Sequence, residues 1–116
     1  MQQSVRYTIR FDGMEAADAG RAAESLRQTL LDVDPTIQAT RVRTDAEVMD
    51  FGATLAIILA APAIVELAKG ITNWLARSHS SRLTVIGPDG STIVENISAR
   101  QAAGLAEKLQ AGHGEG

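Results

Sequence analysis

Cysteine is absent from the 116-residue chain, and aromatic side chains are scarce, with one Trp, one Tyr and two Phe. The lack of cysteine excludes a disulfide framework, a thiolate nucleophile and sulfur-ligated zinc, and it fits a reducing cytoplasm. Platforms that stack nucleic-acid bases need exposed aromatic rings beside basic groups, and this chain has few such rings. Its 11 basic and 14 acidic residues give a net charge of −3, without a basic excess. No nucleic-acid partner is therefore expected.

Recognisable targeting and catalytic motifs are also lacking. Residues 1–11 contain no apolar segment of the kind found in signal peptides, which predicts a cytoplasmic protein. His79 and His113 have no partner at the spacing of a metal-binding pair, and no serine lies in a nucleophile elbow. The glycines of residues 87–90 lack the Lys-Ser/Thr and the helix that follow a phosphate-binding loop. We therefore expect no enzyme, and no catalytic, cofactor-binding or metal-binding residues.

Three carboxylates lie close together, at Asp45, Glu47 and Asp50. Such groups can transfer protons or bind a divalent ion. Here they open a predicted helix, whose free amides and macrodipole stabilise negative charge. A structural role is the favoured interpretation.

The first part of the chain predicts two strands around a helix. Residues 4–11 alternate between apolar and polar side chains, which is typical of a strand with one buried face. Asp12 and Glu15 have the spacing of a capping box, and Asp34-Pro35 ends the helix that it opens. Residues 36–43 predict a second strand.

The last part of the chain predicts a hairpin and a helix. Two runs with apolar patterning flank the Pro-, Asp- and Gly-rich turn at residues 87–90. Ser98 and Gln101 then form a capping box that opens a helix to about residue 110.

With a long apolar helix over residues 51–76, the order of elements is β-α-β-α-β-β-α. This order, together with the one-sided first strand, predicts an α+β fold with a four-stranded sheet and three helices, mainly on one face. We expect a single domain over residues 1–111 and a disordered tail at residues 112–116.

Residues 51–65 form a run without a charged side chain. As a helix the run is roughly 22 Å long, shorter than the ~30 Å hydrocarbon core of a bilayer. Extending it to residue 76 adds Glu66, Lys69 and Asn73. Pro62 predicts a kink or break near residues 58–62.

On a helical wheel, this segment has a continuous apolar stripe that is suited to the core, formed by Ile57, Ala61, Ile64, Ala68, Ile71 and Leu75. A second apolar group lies outside this stripe and forms a hypothetical partner interface of Phe51, Leu55, Ile58, Leu59 and Val65. Three interpretations of these residues stay open: cover by other helices of the chain, contact with another copy or a protein partner, and contact with a membrane.

Basic residues mark another candidate surface. Arg6 and Arg10 lie on the polar side of the first strand, and Arg41, Arg43 or Arg82 could join them. Such a face could bind RNA or an acidic partner, or it could simply be solvated.

Several features follow one another in order along residues 4–110. An alternating strand and a charged helix precede Glu47, Met49 and Gly52, which lead into an apolar helix rich in small residues. That helix ends in Trp74-Leu75 and a basic residue, and a strand, the turn at 87–90, another strand and an alanine-leucine helix follow. This ordered set resembles the effector-associated constant component proteins of bacterial conflict systems.

The resemblance implies a small non-enzymatic α+β component, encoded beside an effector such as a trypsin-like or caspase-like peptidase. Its implied role is to couple the sensing of invasion to that effector, through assembly. We therefore expect a cytoplasmic, homo-oligomeric adaptor whose apolar helix 51–76 binds a protein partner. The alternative is a membrane-active component that inserts residues 51–76 into a bilayer.

Overall fold

A computed structural model describes residues 4–12, 15–42, 54–78, 82–102 and 104–113. In these ranges the chain forms five strands and three α-helices, so the α+β class is confirmed and the predicted strand number of four is wrong. The strands are β1 (Ser4–Asp12), β2 (Gln38–Val42), β3 (Thr54–Ala60), β4 (Arg82–Ile86) and β5 (Thr92–Ile97). The helices are α1 (Ala16–Val33), α2 (Ile64–Arg77) and α3 (Leu105–His113), with 3₁₀ turns at Ala61–Ala63 and Ala99–Gln101.

The sheet has the order β2-β3-β1-β4-β5, and every neighbouring pair is antiparallel. The predicted alternation of β1 is confirmed, because Val5, Tyr7, Ile9 and Phe11 are buried. β3 lies beside β1 and pairs Leu55 with Ile9, so both side chains face the same side of the sheet. These apolar side chains join those of the helices in one core.

The strand that the sequence does not predict is β3, which lies inside the segment predicted as a long helix. Residues 51–76 do not form one helix, because Thr54–Ala60 is a strand between β2 and β1. A strand with neighbours on both sides and a buried face tolerates a continuous apolar sequence. Pro62 lies in the 3₁₀ turn that connects β3 to α2, where its missing amide hydrogen is not required. None of the described helices is long and apolar enough to cross a membrane.

The second half of the predicted helix is correct. α2 buries the predicted stripe residues Ile64, Ala68, Ile71 and Leu75, and also Trp74. The indole ring of Trp74 meets the ring of Phe11 edge to face at a centroid distance of 5.8 Å, and Trp74 Nε1 donates to Ser25 Oγ at 3.0 Å. These contacts fix α2 against β1 and α1.

α1 and α2 approach each other closely at Gly70. A Cβ atom added there would lie 2.5 Å from Leu30 Cδ2, so any side chain larger than hydrogen displaces this fully buried leucine. Along α1, the predicted stop is confirmed, because the helix ends at Val33. Its predicted start is wrong: β1 continues to Asp12, and the N-cap is Glu15, without a side-chain hydrogen bond.

The predicted hairpin is also confirmed. Gly90 adopts a φ of +88°, which favours glycine, and the amide of Gly87 donates to the carbonyl of Ser91 at 2.9 Å. Asp89 Oδ1 accepts from the amide and hydroxyl of Ser91, which lowers the pKa of Asp89. β5 is irregular, with Asn96 at a φ of +57° and its amide bonded to Thr84 Oγ1.

α3 is attached to the sheet through Tyr7. The Tyr7 hydroxyl donates to the carbonyl of Leu109 at 3.0 Å, and burial raises the pKa of Tyr7 to about 12. The predicted Ser98–Gln101 capping box is present, but it opens the 3₁₀ turn at Ala99–Gln101 and not the helix, which begins at Leu105. The helix runs to His113 and overlaps the first two residues of the predicted tail, whose other residues lie outside the described part.

Candidate interaction surface

One face of the sheet is not covered by the three described helices, and we call it the open sheet face. Side chains alternate along a strand, so those that do not enter the core point to this face. On β1 it comprises Arg6, Thr8 and Arg10, and on β2 it comprises Gln38 and Thr40. On β3 and β4 it comprises Thr54, Ala56, Ile58, Arg82, Thr84 and Ile86, of which Thr54, Ala56 and Thr84 are buried.

An apolar side chain stands at one end of this face. Ile58 of β3 pairs with Arg6 of β1 and with Gln38 of β2. Directly paired residues have Cβ atoms about 4.5–5.5 Å apart, so Ile58 lies between a guanidinium and an amide side chain. It is 38% exposed, and within the described ranges only Val65 is a comparably exposed large apolar residue.

The middle of the open sheet face is lined by small or uncharged side chains. Ala56 lies between Thr40 on β2 and Thr8 on β1, and Thr8 pairs on its other side with Ile86. Because these side chains are short, the centre of the face is shallow. Ala56 is nevertheless buried, so the exposed part of this face lies at Ile58, at the arginines and on β2.

Arginines stand on both sides of this shallow centre. Arg10 pairs with Thr54 and Thr84, and Arg82 pairs with Asp12 at the far end of β1. Asp12 lies six positions after Arg6, so Arg6 and Arg82, which pairs with Asp12, lie about 20 Å apart along the strand direction. Arg6 and Arg10 of β1 and Arg82 of β4 belong to this face, and the register sets Asp12 opposite Arg82.

The helix layer carries a different charge pattern. Three of its carboxylates lie within ion-pair distance of a basic group on the same helix, in the pairs Arg21–Asp18, Arg27–Glu24 and Lys69–Glu66.

The residues of the predicted partner interface do not form one surface. Leu55 and Leu59 are buried in the core, whereas Ile58 lies on the open sheet face. Val65 is exposed on α2, on the other side of the strand-to-helix connection, and Phe51 lies outside the described residues. The helical geometry that grouped these side chains does not exist in residues 54–60.

The predicted basic surface is partly assembled. Arg6, Arg10 and Arg82 share the open sheet face. Arg41 pairs with Leu55 and points to the helix side, where its Nη2 would lie 3.1 Å from a Cβ atom added at Gly20. Arg43 lies outside the described residues.

Two surface depressions lie in the helix layer. A cleft of about 450 Å³ between α1 and α2 is lined by Thr29, Asp32, Val33, Asn73, Ala76 and Arg77, and its arginine donates to Thr29 Oγ1 at 2.6 Å. A groove of about 310 Å³ between α2 and α3 is mostly apolar. In the parts of the chain that the structure describes, no group of three or more His, Cys, Asp or Glu residues could hold a metal ion.

Comparison with protein-family models, with curated proteins and with solved structures found no match for this chain. The family resemblance thus depends on the residues alone. The geometry of the open sheet face is the strongest guide to function.

Proposed function

We propose that this protein is a non-enzymatic adaptor that couples sensing to an effector in a bacterial conflict system, and that it binds its partner through the open sheet face. The ordered resemblance along residues 4–110 supports the biological setting. The observation that carries the binding role is the exposed Ile58 beside Arg6, on a sheet face that no described helix covers. Apolar area flanked by arginine is typical of protein interfaces, in which arginine is enriched and most other charged residues are depleted.

This proposal replaces the apolar helix as the acting element. Insertion of residues 51–76 into a bilayer would remove β3 from between β1 and β2, and the backbone hydrogen bonds on both sides of β3 would be lost. An adaptor that keeps its sheet intact needs no such rearrangement. The adaptor is therefore the function that we put forward.

Self-association, expected from the sequence, is a separate proposal. Two open sheet faces placed against each other would bring arginines of like charge together, which disfavours pairing through this surface. A homo-oligomer would then form through another surface and leave the open sheet face available.

Co-purification tests the adaptor proposal. The tagged protein is co-expressed with the peptidase-type effector that the resemblance implies is encoded beside it, and the amount of effector recovered is measured. We expect a stable complex for the natural protein and a loss of most of it for Ile58→Glu. Ile58→Thr, which keeps a good strand former at the position, gives a milder loss and guards against misfolding of the glutamate variant.

Val65→Glu is the matched control, because Val65 is 40% exposed and Ile58 is 38% exposed. Glutamate in the first turn of α2 is favourable for the helix, so this variant should fold and bind normally. Equal recovery of the effector with folded Ile58→Glu would contradict the assigned surface. No complex with the neighbouring effector would contradict the adaptor role.

A further inference from the structure

β2 is an edge of the sheet, and it gives the self-association proposed above a definite surface. Resting on that proposal, we propose that two copies of this chain pair through β2, and that Arg27 of α1 limits this pairing. The two β2 strands run antiparallel and join the two sheets into one continuous sheet. This pairing needs no effector.

The two edges of the sheet in the described part of the chain differ in regularity. β5 carries register shifts and has Asn96 at a φ of +57°, so its backbone is bent. β2 has β3 as its only neighbour among the described strands and pairs with it from Gln38 to Val42 without a shift. A regular edge presents backbone N–H and C=O groups to a further strand. β2 is therefore the edge that suits pairing.

The outward backbone groups of β2 belong to Ala39 and Arg41. In an antiparallel ladder, successive residues direct their backbone groups alternately to one side of the strand and to the other. Arg27 Nε donates to the carbonyl of Ala39 at 3.1 Å, which sets this carbonyl on the side away from β3. The other end of the sheet agrees. Gly87, just after β4, donates its amide to Ser91, just before β5, and alternation followed through the registers of β4, β1 and β3 again sets Ala39 outward.

Arg27 occupies one of these outward groups. Its Nη1 donates to Glu24 Oε2 at 2.9 Å, so the guanidinium is held between α1 and the edge of β2. An added strand has to displace it before an amide of that strand can bond to Ala39. The side chain of Arg27 is 33% exposed, so the guanidinium can move into water when a strand docks. Charged side chains at an edge limit strand pairing in this way, and Arg27 therefore weakens the pairing without excluding it.

The sequence of β2 suits pairing with its own copy. When a two-fold axis passes between the strands at Thr40, each Ala39 lies opposite Arg41 of the second copy. All the outward groups of Ala39 and Arg41 then find partners. Threonine opposite threonine stabilises an antiparallel pair, and like charges directly opposite destabilise it. Here each arginine lies opposite an alanine, so the pairing opposes no like charges at these positions.

Sedimentation equilibrium of the purified chain measures the pairing, and loadings from about 10 μM to about 1 mM cover the weak affinity expected of a small interface. We expect the natural protein to dimerise weakly. Arg27→Ala should dimerise about tenfold more tightly, because it removes the charged hydrogen bond that competes with the added strand. Arg21→Ala is the matched control. It removes an exposed arginine of α1 that also pairs with a carboxylate three residues away, and it should leave the dimer unchanged.

Charge exchange at Thr40 tests the register in variants that keep Arg27. Thr40 is exposed, so Thr40→Lys and Thr40→Glu should both fold. Each variant alone should stay monomeric, because like charges lie opposite each other at the axis, whereas an equimolar mixture should dimerise. Thr92→Lys places the same charge on an exposed threonine of edge strand β5 and should dimerise like the natural protein.

Several results would overturn the proposal. They are a natural protein and Arg27→Ala that both stay monomeric throughout, a Thr40→Lys dimer as stable as the natural one, and a Thr40 mixture that pairs no better than its components. An Arg27→Ala dimer no tighter than the natural one would overturn the role of Arg27. If circular dichroism shows that Arg27→Ala does not fold, the Thr40 variants decide the matter.

These measurements use the chain by itself, so they are separate from the test of the adaptor. If the effector does not co-purify, the adaptor role fails and a dimer with the expected response at Thr40 still stands. If the chain and its variants stay monomeric while the effector co-purifies, the pairing through β2 is wrong and the adaptor role stands.

Discussion

Three alanine substitutions in β3 test whether residues 54–60 form a strand. Leu55 and Ile57 are fully buried and lie two residues apart, on the same side of β3, whereas Ile58 is 38% exposed on the opposite side. Leu55→Ala and Ile57→Ala should each cost about 2–5 kcal/mol, since both leave cavities in a packed core. Ile58→Ala should cost about 1 kcal/mol, mainly through lost strand propensity and partial burial.

Thermal and urea unfolding measure these costs, followed by circular dichroism and by the fluorescence of Trp74, the single tryptophan of the chain. Unchanged urea m-values would show that the same surface is exposed on unfolding in each variant. In a domain of about 100 residues, a stability loss of 1 kcal/mol lowers Tm by about 4 °C or more. The Tm values of the Leu55 and Ile57 variants should therefore be well separated from that of Ile58→Ala. In a helix, Leu55 and Ile58 would share a side and Ile57 would lie apart from them. Equal losses at Leu55 and Ile58 would therefore refute the strand.

Three further outcomes can be checked on the isolated protein. Because burial raises the pKa of Tyr7 from 10.0 to about 12, the unfolded state loses this proton first, and stability should fall between about pH 10 and 12 by at most ~1.4 kcal/mol per pH unit. The absorbance of tyrosinate measures the titration midpoint of Tyr7, since the chain has one tyrosine. Tyr7→Phe should remove this fall in stability. A midpoint near pH 10 in the folded protein would contradict the prediction. Gly70→Ala should destabilise by up to about 2 kcal/mol, because overpacking of Leu30 outweighs the gain in helix propensity. In a double-mutant cycle with Leu30→Ala, the combined cost should be smaller than the sum, and additive costs would argue against the contact. Asn96→Ala should cost about 1–2 kcal/mol at its φ of +57°, whereas Asn96→Gly should be nearly neutral; equal melting temperatures would count against this backbone conformation.

Local patterns were sufficient to predict most elements. The alternation in β1, the Pro-, Asp- and Gly-rich turn between β4 and β5, and the proline after α1 each act through neighbouring residues. Their effects are therefore visible in the sequence. The Ser98–Gln101 capping box is local in the same way.

A helix is predicted where β3 lies because an unbroken apolar run shows neither the periodicity of a helix nor that of a strand. Such a run is compatible with a buried helix and with a buried strand. Its length of seven residues, its adjacent isoleucines and Pro62 just beyond its end are features that favour a strand. What decides the matter is pairing with β1 and β2, and these contacts are not encoded in the run itself.

The open sheet face was only half predictable for a related reason. The alternation in β1 identifies Arg6 and Arg10 as neighbours on one side of a strand. Register decides the remaining members: it places Ile58 and Arg82 on that side and turns Arg41 towards α1. A shift of one residue would reverse these assignments, so the surface depends on strand pairing rather than on composition.

The central position of β1 has a consequence for how the protein is made. This strand is synthesised early, yet its two neighbours arrive much later, since Tyr7 pairs with Ile57 and Phe11 pairs with Leu83. Contacts between residues so distant in sequence slow folding, because the intervening chain must be ordered first. During synthesis, one edge of β1 stays open until β3 has left the ribosome, and the other stays open until β4 has left it. The segment that ends deepest in the folded sheet is thus the one exposed longest to chaperones and to aggregation.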